Sequence, residues 1–289
     1  MKAVLLSLLS CMLWGYVLPV MISFEEGDAR SAPVAAPTAE PGGREEVAAL
    51  VKQVQKADFE ADLPALRRLY ERLEPYTADP DFGSRVRYWR GFALWRRAMN
   101  AMNDPKSDRE ETKRDLNGAL AEFTRAFEAD SGFADAKIAA FGCMANLRYL
   151  QMTAQPPENP DQEMMNRAMA LAREAATAAP NNPRVLWLRG GSLWWAPADR
   201  GGSQTKAMET YDRGLAEARK QTITDPLEPS WGEAELLMTL AWANLNRAEP
   251  DLDAAERYAR AALQIAPNWH YVRDILMAQI RAARAKAAK

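Results

Sequence analysis

The residues that most often carry chemistry in proteins are few in this sequence and lie far apart. It contains two cysteines, Cys11 and Cys143, and a single histidine, His270. One histidine argues against a histidine-based metal site and against histidine-dependent acid–base catalysis. Cys143 stands in the apolar stretch FGCMANL with no histidine near it in sequence, so we expect a small buried residue rather than a nucleophile. For His270, near the start of the last predicted helix, we expect a packing or capping role.

The short motifs that accompany common enzyme sites are also missing. There is no GxSxG, Walker loop, CxxC, HExxH or aspartate-rich diphosphate motif in the sequence. Two acidic pairs, Glu110 with Glu111 and Asp251 with Asp253, stand where helices are predicted to begin, a position that the helix dipole favours for acids. An enzyme on a helical scaffold needs two or more carboxylates converging in a pocket, and the sequence offers no such cluster. We therefore predict no catalytic residues, no metal and no cofactor.

The composition restricts the class of partner. Among 289 residues, 37 are basic and 39 are acidic, which gives a net charge of -2. That balance predicts no nucleic-acid binding and no general attraction to anionic membranes. Hydrophobic residues make up 48% and charged residues 26%, as in an ordinary globular protein, and two cysteines provide no disulfide framework.

Any site must be positioned by helices, and pairs of small residues seven positions apart indicate where these helices lie. This spacing places both members of a pair on one face of a helix, where small side chains let another helix come close. Proline cannot continue the helical ladder and marks the stop after two of the pairs, at Pro180 and Pro267. The pairs are Ala119 with Ala126, Ala168 with Ala175, Ala207 with Gly214, and Ala255 with Ala262.

From residue 45 onward, apolar residues recur at helical spacing and no run alternates as a strand does. Helices are predicted, with ends uncertain by about two to four residues, near 45–57, 60–74, 84–102, 108–129, 133–153, 161–178, 183–195, 203–221, 231–247, 251–265 and 268–287. We expect an all-α fold of about five antiparallel hairpins and a C-terminal capping helix, stacked as an α-solenoid. Each hairpin leaves an apolar face that only its neighbour can cover.

The pattern resembles the tetratricopeptide repeat, which has a small residue late in its first helix and small residues early and late in its second. The first-helix matches are Gly91, Gly142, Gly190 and Ala241, and Phe123 and Tyr211 stand at the aromatic site between two of the second-helix pairs. The resemblance covers roughly residues 84–267, and the hairpin at 45–74 is degenerate. It implies that first helices line a concave surface that binds proteins or peptides. The carboxylate clamp of some members is mostly missing here, although Arg85 and Arg184 remain as possible anchors for an acid.

The spacing departs from a regular array. Early alanines at positions 119, 168, 207 and 255 lie 49, 39 and 48 residues apart, against about 34 in a regular repeat. The extra residues fall in loops that could cover or narrow the groove, at 102–110, 153–161, 196–202, 221–230 and 247–251. The glycine pair in WWAPADRGGS, residues 194–203, is interpreted as a structural turn rather than an anion cradle.

A candidate partner-binding groove follows from aromatic residues at i, i+4 and i+7 on the predicted first helices. Such a hollow suits an apolar peptide segment or a hydrophobic small ligand. The alternative is that the same rings fill gaps between helices as core. The residues predicted to line the groove are Tyr88, Phe92, Trp95, Asn146, Trp187, Trp194, Met238 and Trp242.

The amino terminus predicts export. The uncharged stretch Ala3–Phe24 would span about 33 Å as a helix, close to a bilayer core of about 30 Å. Residues 1–24 are therefore predicted to be a signal peptide or a membrane anchor, with lipidation at Cys11 a further alternative. Residues 25–44 form a predicted flexible linker rich in proline, alanine and acids, and residues 45–289 form the repeat domain with its caps.

Together these features predict a noncovalent scaffold of a bacterial cell envelope or periplasm. It would bind a protein or peptide through the concave aromatic face and touch membrane only through its N-terminal segment, with the outer helices free for self-association. The alternative is a periplasmic receptor for a small hydrophobic ligand, associated with a solute transporter. A more remote alternative is an enzyme on an α/α scaffold.

Overall fold

The structure is a computed structural model that describes residues 43–159 and 161–288. The predicted signal peptide or anchor at 1–24, Cys11 within it, and the linker up to residue 42 lie outside the described residues. Gly43 and Arg44, assigned to the linker from the sequence, instead begin the first helix. In the described ranges the chain is helical and contains no strand, which confirms the all-α prediction.

Eleven α-helices follow one another through the described ranges, as predicted. A π-helical segment, Tyr271–Leu276, precedes the last of them, and 3₁₀ turns occupy Glu74–Tyr76 and Ala198–Arg200. The α-helices are α1 (Gly43–Phe59), α2 (Leu63–Arg72), α3 (Gly83–Ala101), α4 (Arg109–Ala129), α5 (Ala134–Thr153), α6 (Gln162–Ala178), α7 (Pro183–Trp195), α8 (Gln204–Lys220), α9 (Glu233–Asn246), α10 (Leu252–Ile265) and α11 (Met277–Ala287).

Side-chain caps fix where most of these helices begin. Each capping side chain accepts a hydrogen bond from a backbone N–H of the first turn, which is otherwise without a partner. Each such cap stabilises a helix by about 1 kcal/mol. All five even-numbered helices have one, as does α7: the caps are Asp62, Asp108, Asp161, Asn182, Ser203 and Asp251.

The helices pack in adjacent pairs, α1 with α2, α3 with α4, α5 with α6, α7 with α8 and α9 with α10. The odd-numbered helices α3, α5 and α9 are buried on almost every side, whereas the even-numbered helices bury a single stripe. A helix that is apolar all round belongs inside, and an amphipathic helix belongs outside. The odd helices α3, α5, α7 and α9, each in contact with the next, therefore form the inner layer.

The small residues of the sequence pattern all lie inside the protein, whereas the two prolines that follow them do not. The first-helix positions Gly91, Gly142, Gly190 and Ala241 are buried. Pro180 and Pro267 are exposed, two residues beyond the ends of α6 and α10. The second-helix positions on α4, α6, α8 and α10 are buried as well: Ala119, Ala126, Ala168, Ala175, Ala207, Gly214, Ala255 and Ala262.

These small residues permit close approach between neighbouring helices. A Cβ atom built on Gly91 would lie 2.9 Å from the Phe123 ring, and one on Gly190 would lie 2.3 Å from the Tyr211 ring. In each case the aromatic ring of the second helix occupies the space of a side chain on the first. On α8, a Cβ atom at Gly214 would lie 3.0 Å from the side chain of Leu236 on α9, so this position also faces the next helix.

The first helix contacts segments far along the chain. Arg44 pairs with Asp225 at 2.5 Å, and the Gln55 side chain donates to Ser230 Oγ at 2.8 Å. At the other end of α1, the ring of Phe59 lies 4.8 Å from that of Trp269. α1 therefore joins the beginning of the described chain to the region beyond α8.

We expect Gly190→Ala to lower the free energy of unfolding by about 1–3 kcal/mol, because its methyl group would overlap the buried Tyr211 ring. This loss should appear although alanine favours a helix over glycine by about 1 kcal/mol. Denaturant unfolding measures it. Gly118→Ala is the matched control within a helix, since its added methyl meets only the flexible end of Leu94, 2.8 Å away. Equal stability of the two variants would contradict the close fit at Gly190.

Candidate functional site

The eight side chains predicted to line an open groove are all buried. Their exposed fractions run from 0% for Tyr88 to 7% for Trp194 and Trp242. They hydrogen-bond and stack inside the protein: Trp95 Nε1 donates to Asn146 Oδ1 at 2.9 Å, and the rings of Trp194 and Trp242 lie 5.3 Å apart. An open groove on these residues is therefore not what the structure shows. The full set is Tyr88, Phe92, Trp95, Asn146, Trp187, Trp194, Met238 and Trp242.

The aromatic face is covered by the loop between α8 and α9, residues 221–232, which we call the strap. Its Trp231 ring lies 5.4 Å from Phe92, 6.0 Å from Trp95 and 5.5 Å from Trp187. Trp231 Nε1 donates to the Tyr88 hydroxyl at 2.7 Å, so its one polar atom is also satisfied. The strap includes the loop at 221–230, which is expected from the sequence to cover or narrow the groove. Trp231 and Gly232, predicted to begin the next helix, belong to the strap instead, since α9 begins at Glu233.

Further polar contacts hold the strap in place. Trp89 Nε1 donates to the Leu227 carbonyl at 2.7 Å, and Arg184 Nη1 donates to the Trp231 carbonyl at 2.8 Å. Arg85 pairs with Glu228 of the strap at 2.7 Å and with Asp130 at 2.5 Å. The strap is thus tied to the inner helices by both its backbone and its side chains.

The same contacts account for the two arginines that the sequence leaves as possible anchors for an acid. Arg184 also pairs with the buried Asp135 and donates to Gln221 Oε1, so its partners belong to this chain, as do those of Arg85. Charge-assisted bonds of this kind leave neither guanidinium free for an outside carboxylate.

A buried charge cluster joins three helices and was not found from the sequence. Arg96 of α3 donates to Asp58 of α1 at 2.7 Å and lies 3.9 Å from Glu235 of α9. Asn100 donates a second bond to Asp58, at 2.9 Å. Burial raises the pKa of Glu235, Asp58 adds to the rise, and the Arg96 charge opposes it. Asp58 belongs to α1 and Glu235 to α9, far apart in sequence, so only the fold brings them together.

Two carboxylates beside an arginine could serve acid–base chemistry, but this cluster is sealed. The side chains of Asp58, Arg96 and Glu235 are 1–4% exposed, and none of them lines the three clefts described below. The cluster is best explained as a polar tie between α1, α3 and α9, since a buried carboxylate without a partner is costly.

The remaining chemistry-capable residues stand apart from one another. Cys143 is buried within α5. His270 Nδ1 lies 2.8 Å from Asp274 on the surface, and hydrogen bonds from Arg273 and His270 lower the pKa of Asp274 to about 2. Within residues 43–159 and 161–288, no three histidine, cysteine, aspartate or glutamate side chains are grouped as metal ligands would be.

An open cleft lies elsewhere, between α5, α6 and α7. α6 packs closely on α5 but only sparsely on α7, and the space between them has a volume of about 630 Å³. Two smaller clefts, of about 380 and 200 Å³, mix acidic with basic side chains. The large cleft is distinguished by its apolar floor, which is formed by Ile138 and Phe141 of α5, Met169 and Ala172 of α6, and Val185 and Leu193 of α7.

Three arginines stand around this cleft: Arg173 of α6, Arg189 of α7 and Arg200 of the turn after α7. All three are exposed, and none forms an ion pair with another described residue. No aspartate or glutamate is among the lining residues. The cleft therefore combines an apolar floor with a purely cationic border.

The turn that carries Arg200 is held by its own backbone, as the interpretation of the glycine pair predicts. Gly201 has φ +85°, and a Cβ atom on Gly202 would lie 1.7 Å from the Ala196 carbonyl oxygen, so both positions require glycine. The N–H groups of Gly202 and Ser203 donate to backbone carbonyls of this chain. These N–H groups are thus already hydrogen-bonded within the chain and do not form an anion cradle. The charge that the turn contributes to the cleft is that of Arg200.

No helix of the described ranges is both long and apolar enough to cross a bilayer. Comparison of the chain with protein-family models, with curated proteins and with solved structures gives no match. The cleft and the strap were not identified from the sequence as sites, because their members come from separate helices. The unpaired arginines at 173, 189 and 200 gave no signal of their own among the chain's 37 basic residues.

We expect Trp231→Ala to lower the free energy of unfolding by about 3–5 kcal/mol, because it empties the space between three buried aromatic rings. Amide hydrogen exchange across residues 221–232 should accelerate at the same time. Trp231→Phe keeps a ring but loses the bond to Tyr88, and should cost less. Ile223→Ala, at an exposed position of the same strap, should change stability by no more than about 0.5 kcal/mol. Similar losses in the Trp231 and Ile223 alanine variants would count against the anchoring role of Trp231.

The raised pKa of Glu235 predicts a pH dependence. The folded protein keeps this proton to higher pH than the unfolded chain, whose glutamates titrate near 4.5. Stability should therefore fall as pH rises from about 4.5 through the raised pKa, with a slope of at most about 1.4 kcal/mol per pH unit from this group.

Glu235→Gln removes that titration, so its unfolding free energy should fall less steeply with pH than that of the wild type. Urea unfolding from about pH 4.5 to about pH 8 provides the measurement. Glu249→Gln, at an exposed carboxylate, is the control and should follow the wild-type curve. A Glu235→Gln curve parallel to wild type would show that this carboxyl does not titrate differently in the folded state.

Proposed function

We propose that the chain is a noncovalent binding protein of the cell envelope, and that it holds a small, largely apolar ligand in the cleft between α5, α6 and α7. The observation that carries this proposal is the open volume of about 630 Å³ above an apolar floor. Ligand pockets typically measure about 300–1,000 Å³ and are lined mainly by hydrophobic side chains. Of the two binding functions that the sequence suggests, the geometry favours the small-ligand receptor.

The scaffold that we propose for this role is a stack of tetratricopeptide-like hairpins. Three features support it: the adjacent pairing of helices, the inner layer of odd-numbered helices and the glycine-to-aromatic contacts at Gly91 and Gly190. In such a stack each hairpin is covered by its neighbours. A cleft then opens where two successive units separate, as α6 and α7 do here.

A binding role without catalysis is part of the proposal. The nucleophile candidate Cys143 is buried, and the cluster of Asp58, Arg96 and Glu235 is closed to solvent. Around the large cleft the ionisable lining residues are arginines, which stay charged at ordinary pH and are poor proton-transfer groups. These observations support recognition rather than reaction in the cleft.

A second candidate function is peptide binding at the aromatic face, and the strap is the observation that favours it. The strap lies on the inner helices much as a bound peptide would, with Trp231 as a deep anchor and with Leu227 and Trp231 carbonyls accepting hydrogen bonds. A partner peptide would have to displace residues 221–232 first. Because that displacement exposes several buried rings, the open cleft remains the better-supported site.

The proposed location rests on the sequence of residues 1–24, whose apolar character predicts a signal peptide or anchor. Self-association through the outer helices likewise stays a prediction. An exported binding protein would meet its ligand outside the cytoplasm, which suits a receptor associated with a transporter. Cell fractionation examines this placement separately from ligand binding.

The binding proposal is tested with N-phenyl-1-naphthylamine, a neutral apolar dye that fluoresces on leaving water. We expect saturable binding of one dye per chain, because the apolar floor is accessible. Ala172→Leu places a larger side chain in the space that the dye would occupy, so part of the dye can no longer be buried. Because burying an apolar group of leucine size is worth roughly 1.5–3 kcal/mol, binding should weaken about tenfold or more. Fluorescence titration gives both affinities.

Ala170→Leu is the control variant. Ala170 lies on the same helix, is also half-buried, and is not a lining residue of the cleft. It should bind the dye as the wild type does. Absence of saturable dye binding, or equal weakening in both leucine variants, would overturn the assignment of the cleft as a ligand site.

A further inference from the structure

We infer that the ligand of this cleft is an amphipathic anion: a single apolar chain or ring system that ends in one carboxylate, sulfate or phosphate group. The inference rests on the proposed function, since it names the ligand class of the same cleft. It adds a charge requirement that the apolar floor alone does not impose. The apolar part of the ligand corresponds to the floor of the cleft, and its anionic group corresponds to the arginine border.

The floor fits the apolar part of such a ligand. Ile138, Phe141 and Val185 are 1–2% exposed, and they present the bottom of a cleft that remains open to solvent. In an open space of this size, beside apolar side chains, an apolar ligand group is favoured over water. The floor contains no charged side chain, so the charged end of a ligand must lie at the border.

The border fits an anion because its charges are uncompensated. Arginines elsewhere are commonly paired: Arg90 and Arg97, for example, each contact two acidic side chains. Arg173, Arg189 and Arg200 have no such partner among the described residues, and yet all three line one cleft. A guanidinium presents its N–H groups in a planar fork that matches a carboxylate or phosphate.

Neighbouring acids do not cancel this charge. Glu174 follows Arg173 in sequence, but its carboxylate pairs with Lys137 at 2.8 Å. Asp199 precedes Arg200 and is exposed, but it is not among the lining residues. The border is therefore cationic by the placement of these side chains, although the whole chain is close to neutral.

The arginines also come from three different elements, α6, α7 and the turn after α7. The turn is fixed by Gly202, where any side chain would collide with the Ala196 carbonyl oxygen. A head group at the border would thus be approached from separate elements of the fold. Such an arrangement orients a ligand with its apolar part over the floor.

The test compares three molecules with the same decyl-length chain: decanoate, decanol and decyltrimethylammonium. We expect decanoate to displace the neutral dye about tenfold more effectively than decanol, because a hydrogen bond to a charged group raises the binding affinity by about tenfold or more. The cationic amphiphile should bind more weakly than decanol. Raising the salt concentration should weaken decanoate alone, since exposed charges are screened.

The double variant that combines Arg189→Gln with Arg200→Gln should bring decanoate to the level of decanol, with both competitors measured against that variant's own dye affinity. A control that combines Arg257→Gln with Arg281→Gln removes the same charge from two arginines outside the cleft and should leave the preference intact. Dye binding in the first variant also reports that the cleft is still folded. Decyl phosphate and decyl sulfate then identify which anionic group is preferred.

The outcomes separate the two proposals. If the dye binds and Ala172→Leu weakens it, but decanol equals decanoate, the charge inference is wrong and the binding cleft stands. If neither dye nor decanoate binds, both are wrong. If decanoate still binds equally well to Ala172→Leu, or if the chain binds anionic phospholipid vesicles regardless of that substitution, the anion is held by the outer surface and the inference is overturned.

Discussion

The constraint on which the rest of the structure depends is the covering of the aromatic surface on the inner helices. α3 and α7 present Tyr88, Phe92, Trp95 and Trp187 on one side, and rings of this size cannot be left in water without a large loss of stability. Trp231 completes that layer from the strap. With this aromatic surface covered by the strap, the open space described above lies instead between helix pairs, where the packing of α6 on α7 is sparse.

Much of the fold could be predicted because its signals are local. Helical periodicity marked all eleven helices, and a pair such as Ala168 with Ala175 marked a contact face within a single helix. The strap could not be assigned in the same way. Its prolines indicate a loop, but nothing local pairs Trp231 with Tyr88, 143 positions earlier. The spacing at i, i+4 and i+7 showed which rings share one face of a helix, but it did not show which other segment packs against that face.

The cleft was beyond sequence reasoning for a related reason. Its floor draws residues from three helices, and a pattern within one helix does not distinguish Ala172, which lines the cleft, from Ala170, which does not. The positive charge of the cleft border can be recognised only when it is known which arginines form ion pairs. Arg184 and Arg189 lie on one helix, but Arg184 is buried against Asp135, whereas Arg189 is exposed and unpaired with any described acid.

The contacts of α1 also bear on how the chain reaches this structure. Arg44 contacts Asp225, and Phe59 contacts Trp269, so the first of the described helices docks on segments that are synthesised much later. Each paired hairpin is local in sequence and can fold early, but closing so long an interval of chain is entropically costly and comes late. α1 also packs on α2 and α3, which are close in sequence, so the contacts that wait for the carboxyl-terminal half are those of Arg44 and Phe59. Until then the Phe59 ring lacks its Trp269 partner, and this end of α1 presents apolar surface to aggregation or to a chaperone.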